Sequence, residues 1–370
     1  MFRSLLLLPL ALVALAACSS GPSATPNPTL DLARHGDPAR LAEGSAYRTL
    51  DADWNPAGLG ALVAAAQAEG SVRLDGYNQD QIDAWCAAFT ARFAIACSGR
   101  ALASFQAVST LTAEAEAGRA QTDVAYLSMS QMAAYLDAGL GATVDWAALG
   151  AEPRRAWYAG TAGNAIGVAQ SQYTHFANTH DVDPADLPHT LADWLDPRWK
   201  GLICAPDFLL RAGNGFLALY YDPQEMIGFH RRLLDEQDVV VTSDCDALTV
   251  SGERPLQYLG YGYPQALLGT GFIEPFWNPG MGVNLFSHAV AASAPHPNAA
   301  RLFAAWSTSR EASALSWQAI GQGWAAFGHG PDGLTTGRFA ELDLVYESPA
   351  TFRERAAATR TFQDALFPSN

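Results

Sequence analysis

Twice along this chain, short apolar strand candidates alternate with helices that carry one apolar face, and a Gly-rich extended stretch separates the two runs. Strands joined by crossover helices pair in parallel, so the pattern predicts an α/β fold. The first run opens with Asn55 as a helix cap and Pro56 in the first turn. Leu59, Leu62 and Val63 follow, and Gly70 is the stop. Val72 to Asp75 reads as a strand. Ile82, Trp85, Cys86, Phe89 and Phe93 fall at helical spacing, so a helix comes next. Ile95 to Cys97 is a strand, Phe105 to Ala117 a helix closed by Gly118, Asp123 to Leu127 a strand, and Ser130 to Ala138 a helix ended by Gly139. The extended segment Ala162 to Gln170 then suits a crossing between two lobes, with the Gly/Pro-rich stretch Gly269 to Gly282 as the return. Between them lie a strand at Leu202 to Ala205, helices at Gly215 to Tyr221 and Gln224 to Glu236, and a strand at Val239 to Thr242. Asn298 to Trp306 and Glu311 to Ala319 read as helices that return to the first lobe.

The N-terminus adds an address. Arg3 precedes an almost wholly apolar run from Leu5 to Ala17, which is too short to span a bilayer as a mature helix but suits a secretory signal. Leu15-Ala16-Ala17-Cys18 resembles the lipobox of bacterial lipoproteins. That resemblance implies a signal peptide over 1–17, diacylglyceryl transfer to Cys18, and a lipid bilayer as anchor. Residues 18–50 are rich in Ser, Gly, Pro and Ala without a sustained period, which describes a flexible tether. After cleavage about 350 residues remain, more than one core usually serves, so two lobes are expected. A net charge of −15 argues against nucleic acid or an anionic lipid surface as the main partner.

Once Cys18 is lipidated, Cys86, Cys97, Cys204 and Cys245 remain. An even number in an exported protein reads as two disulfides with three possible pairings. Cys86–Cys97 and Cys204–Cys245 are favoured, since each pair closes a loop inside one lobe. No two of the four stand in a C-x-x-C pair, which weakens a zinc site.

Four segments carry a family resemblance. LVAAAQAEGSVRLDGYNQDQIDAWCAAF, AEAGRAQTDVAYLSM, LPHTLADWLDPRWKGLICAPD and APHPNAARLFAAWSTSREA resemble, in order, segments of the bacterial extracellular solute-binding proteins of iron-type ABC importers. They lie within residues 58 to 325. The resemblance implies a type II periplasmic binding protein: two α/β lobes, a two-segment hinge and a central ligand cleft. Lobe one is then expected at 51–163 plus 283–370, and lobe two at 164–282. The implied partners are a small-molecule or ion ligand and an ABC permease in the membrane, with the protein itself a monomer.

Ligands in open α/β sheets sit beyond the carboxyl ends of the strands, where helix N-termini offer free N–H groups. Tyr77 and Asn78 follow the first strand, Ser128 and Ser130 follow the Asp123 strand, and Arg211 to Asn214 follow the Leu202 strand. Asn78 and Ser130 also suit plain N-caps. Arg211 is the one fixed cation among these positions, so it is the candidate partner for an anionic group. Tyr258, Tyr261 and Tyr263 lie where the ferric-binding relatives place two adjacent metal-binding tyrosines. Here Gly262 splits Tyr261 from Tyr263, and strand alternation would put those two on one face. The relatives also use a histidine in the turn after strand one, where this chain reads Tyr77-Asn78-Gln79. Both departures favour an organic or oxyanion ligand over direct iron ligation, and leave the metal unassigned. Trp277 and Asn278 offer an aromatic wall and a polar contact.

No G-x-S-x-G elbow or H-E-x-x-H occurs. Gly321-Gln322-Gly323 follows a helical stretch rather than a strand, so it fails as a nucleotide loop. No cofactor is expected. The expectation is a lipid-anchored, extracytoplasmic receptor that delivers a small solute to an ABC importer. A secreted enzyme and a binding protein acting on a sensor kinase are the alternatives.

Overall fold

α1 (Gly60–Glu69), β1 (Ser71–Gly76), α2 (Gln79–Phe93), β2 (Ala96–Ala101), α3 (Ala107–Glu116), β3 (Val124–Ser128) and α4 (Met129–Asp137) alternate as the pattern predicts. They belong to a computed structural model that describes residues 46–102, 106–157, 163–212, 214–262, 264–329, 344–348 and 351–367. α1 starts later than its expected cap. Gly58 takes a φ of 83° and Leu59 N donates to Pro56 O at 3.1 Å, so residues 56–59 form a turn. Gly70, at a φ of 78°, ends the helix as expected. In α2, Ile82, Trp85, Phe89 and Phe93 are buried at the three- and four-residue spacing seen in the sequence.

The second half adds β4 (Ala156–Trp157), β5 (Ala165–Asn178), β6 (Ile203–Ala205), α5 (Asp207–Ala212), α6 (Asn214–Tyr220), α7 (Pro223–Glu236) and β7 (Val240–Val241). α8 (Cys245–Ser251), β8 (Leu256–Tyr261), α9 (Gln265–Leu268), β9 (Ile273–Phe276) and β10 (Gly282–Val290) follow. α10 (Pro297–Trp306), α11 (Arg310–Ile320), β11 (Val345–Tyr346) and α12 (Phe352–Leu366) complete the described chain. Among the described residues, no helix is long and apolar enough to cross a membrane.

The sheet runs in the order β2-β1-β3-β10-β5-β8-β6-β7. β1 pairs in parallel with β2 and β3, and β6 in parallel with β7 and β8. The two parallel sets meet through β10 and β5, which run antiparallel to each other and to their outer neighbours β3 and β8. β5 pairs with β10 from Ile166 to Gln172 and with β8 from Tyr173 to Ala177, so this one strand serves both sets. Sequence pattern predicts only its first part, because all fourteen residues are buried and no alternation marks the rest. The second strand in the middle is β10, which begins where the Gly269–Gly282 stretch ends.

α10 lies against α1, and α11 against α2. Phe89 sits 5.0 Å from Phe303 and 5.5 Å from Trp306 between ring centroids, and Trp85 Nε1 donates to Ala312 O at 2.8 Å. Each large apolar side chain buried this way contributes about 1.5–3 kcal/mol. α12, which the sequence pattern leaves unassigned, packs on α5, α6 and α7 and touches α4. Cys86 is joined to Cys97 and Cys204 to Cys245, with Cα–Cα distances of 4.8 and 5.7 Å.

Candidate functional site

Strand ends converge where the sheet changes direction, as the switch-point rule requires. Tyr77 directly follows β1, Ser128 ends β3, and Tyr261 ends β8. Tyr173 stands opposite Tyr261 in the register of β5 and β8. These four side chains, with Ser130, Gln131, Asn284, Phe286, Phe208, Leu209 and Arg355, line a cavity of about 170 Å³. That volume falls below the roughly 300–1,000 Å³ of drug-sized ligand pockets and suits a small solute.

Three phenols dominate its chemistry. The Tyr173 and Tyr261 rings are 5.1 Å apart, edge to face, and Tyr77 lies 5.0 Å from Phe286. Burial pushes Tyr173 up to about 12, with the Arg355 guanidinium pulling the other way. Burial also raises Tyr261 well above the ordinary range, and the neighbouring phenols Tyr173 and Tyr77 raise it further. Tyr77 is raised by burial, against a hydrogen bond with Gln322 that favours the ionised form. Each phenol is therefore neutral at neutral pH unless a bound cation takes the proton's place.

Arg355 is the cation on the cavity wall. It reaches there from α12, with Nε and Nη2 donating to Glu347 Oε1 at 2.8 and 2.7 Å. Leu285 N donates to Glu347 Oε2 at 3.1 Å. Burial pulls the guanidinium down and pushes the carboxyl up. Three N–H donors on one carboxylate hold the pair ionised, and the net direction at Arg355 is upward because Glu347 and the phenols Tyr173 and Tyr261 together outweigh burial. The guanidinium also lies 4.8 Å over the Phe216 ring.

The residues expected from sequence divide sharply. Tyr77, Ser128, Ser130 and Tyr261 line the cavity. Asn78 does not: its side chain caps α2, accepting from Gln81 N at 3.1 Å. Arg211 donates from Nε to Asp207 at 2.9 Å in an exposed i,i+4 pair and lies 4.1 Å over the Phe367 ring, away from the cavity lining. Trp277 is buried outside the lining, and Asn278 is spent on the core, accepting from Trp194 Nε1 at 2.8 Å and donating to Pro188 O at 2.9 Å. Tyr258 is likewise internal, with its hydroxyl on His230 Nε2 at 2.9 Å. Asn214 opens α6, but its side chain, like Tyr263 and Cys18, lies outside the described residues. Gly262 takes a φ of 72°, so strand alternation stops at Tyr261 and cannot be carried on to Tyr263.

Sequence reasoning missed Tyr173, Asn284 and Arg355. Tyr173 hides in a continuous buried strand, and Asn284 in another. Arg355 directly follows two other charged residues, Arg353 and Glu354, at the start of a helix. A register for β5 against β8 would have found Tyr173, since it faces Tyr261.

Two parallel sets joined by two antiparallel central strands, with the cavity at the join, make the type II periplasmic binding protein fold. No protein-family model and no curated protein matches the sequence. Solved structures do match in fold. Iron-bound HitA from Pseudomonas aeruginosa has a TM-score of 0.66 at 22% identity, covering 80% of this chain and 99% of that one. The Trichodesmium protein IdiA (FutA), in complex with iron and citrate, has a TM-score of 0.62 at 13% identity, with 81% and 100% covered. AgtB from A. tumefaciens R10, in complex with agropinic acid, has a TM-score of 0.61 at 17% identity, with 80% and 98% covered.

Proposed function

We propose that this protein is the extracytoplasmic solute receptor of an ABC importer, and that its solute is a ferric ion held by tyrosine phenolates. The convergence of Tyr77, Tyr173 and Tyr261 on one small cavity carries the reading. Phenolate oxygen is a hard anionic donor and suits a hard trivalent cation. The charges also balance. Arg355 and Glu347 sum to zero, so three phenolates neutralise one ferric ion in a buried site where excess charge is costly. Tyr173 joins Tyr77 and Tyr261 of the tyrosines named from the sequence, so this reading needs no adjacent tyrosine pair. HitA and the Trichodesmium protein, both solved with iron, support the choice of solute.

In this reading the lobes are 51–163 with 283–370 against 164–282, except that α12 belongs with the second because it packs on α5, α6 and α7. The chain acts as a monomer, catalyses nothing, and is held to the membrane by acylated Cys18. A Cys18→Ser variant should leave the membrane fraction.

A second reading rests on Arg355. A small organic acid could take its remaining N–H groups while the phenols stay neutral, as the AgtB complex with agropinic acid illustrates for this fold. A thermal-shift screen separates the two, since a bound solute stabilises the folded state by linkage. Ferric nitrilotriacetate should raise the melting temperature and give a visible phenolate-to-iron band. A shift with carboxylic acids alone selects the second reading, and no shift with either refutes the receptor role. Hydrolysis of any screened compound would favour an enzyme, and a kinase gene rather than permease genes beside this one would favour sensing.

A further inference from the structure

A buried carboxamide stands beside the Tyr261 phenol. Asn284 lies on β10 opposite Ser171 of β5, and its Nδ2 donates to the Tyr261 phenol oxygen at 2.8 Å. The residue is only 7% exposed and forms part of the cavity wall. Its amide oxygen has no hydrogen-bond partner. The amide therefore works through its N–H end, on a tyrosine.

The backbone that carries it is pinned, since Leu285 N, next to Asn284, donates to Glu347. The amide holds still while presenting N–H to phenol oxygen. A phenol oxygen that accepts such a bond is fixed in direction, and negative charge on it is partly compensated.

We propose that Asn284 is a positioning residue that presents Tyr261 to the solute as an electron-pair donor, so that the site selects a hard cation over neutral organic solutes. This rests on the phenolate reading above and adds the residue that enforces it.

The test uses ferric nitrilotriacetate as the probe. Asn284→Leu keeps the approximate size of the side chain but removes the donor, and Asn284→Gln keeps an amide N–H. Asn284→Leu should weaken iron binding about 10–100-fold, the usual loss when a ligand's outer partner is removed. It should also displace the visible band, with the melting temperature of the iron-free protein unchanged. Asn284→Gln should bind within a few-fold of wild type. Unchanged affinity and band in the Leu variant overturn the proposal. Equal weakening in the Leu and Gln variants together with a lowered melting temperature overturns it too, because the side chain then only packs. A wild-type protein with no band refutes the iron reading and this proposal with it, whereas a wild-type band with unmoved variants removes the positioning role alone.

Discussion

Loading a ferric ion into this cavity should expel about three protons, one per phenol. Burial holds Tyr173 at about 12. At pH 7 its ionisation alone lies five pH units uphill, about 7 kcal/mol at roughly 1.4 kcal/mol per unit. Tyr261 and Tyr77 are also displaced upward, and each phenolate formed makes the next harder. The ion must supply all of this, so the free site keeps its protons at neutral pH and gives them up on binding. The sign follows directly: protons compete with iron, and affinity falls as pH falls. Below all three pKa values the slope should approach three decades per pH unit. Proton release can be read by pH-stat titration in weakly buffered solution, with the same chelate added to buffer as the blank. Tyr173→Phe should lower the count to about two, and the slope of log affinity against pH likewise. Release of one proton or none from the wild-type protein would refute the reasoning, and is the result a carboxylate docking on Arg355 would give.

Other substitutions test the frame around the site. Glu347→Gln leaves Arg355 buried without its counter-charge and should cost about 3–5 kcal/mol in urea unfolding; a loss under about 1 kcal/mol would mean the pair is more hydrated than its geometry implies. Asn78→Ala should cost about 1 kcal/mol of stability as a lost cap and leave solute binding intact, whereas Tyr77→Phe should weaken iron binding and shift the iron band at little cost in stability. Arg211→Ala should change stability by less than about 0.5 kcal/mol and not alter binding, since its ion pair is exposed. Opening the disulfides by paired Cys→Ala changes should cost about 3 kcal/mol for Cys86–Cys97, which closes 11 residues, and about 4 kcal/mol for Cys204–Cys245, which closes 41.

How much of this was legible in the sequence depended on what each residue type can signal locally. The helices of the first run carry their apolar spacing openly, and Gly70 marks a helix end because its φ of 78° suits glycine. The strands of the join do not. β5 and β10 are buried on both faces, so they lack alternation, and polar Asn284 looks out of place there until the cavity explains it. Asn78 and Arg211 illustrate the opposite error. Both stand after strands, as ligand residues do, but a cap and an i,i+4 ion pair satisfy them locally. The position after a strand nominates a residue, and only long-range pairing decides whether it faces a solute.

The same pairing explains why binding and closure are one event in the proposed receptor. Tyr77 follows a strand of one parallel set and Tyr261 ends a strand of the other, while Tyr173 belongs to the strand that serves both. A cation that needs all three oxygens stabilises only arrangements that bring both sets to it. An ion held by Tyr77 alone gives no preference for the closed form, and a solute shifts a conformational equilibrium only by its differential affinity for the two states. Tyr261→Phe should therefore weaken binding and also reduce the compaction that iron causes in small-angle scattering, whereas Asn284→Leu should weaken binding but leave compaction intact at saturating iron. If Tyr261→Phe compacts fully once saturated, Tyr77 and Tyr173 suffice to draw the two sets together, and the coupling through Tyr261 is wrong.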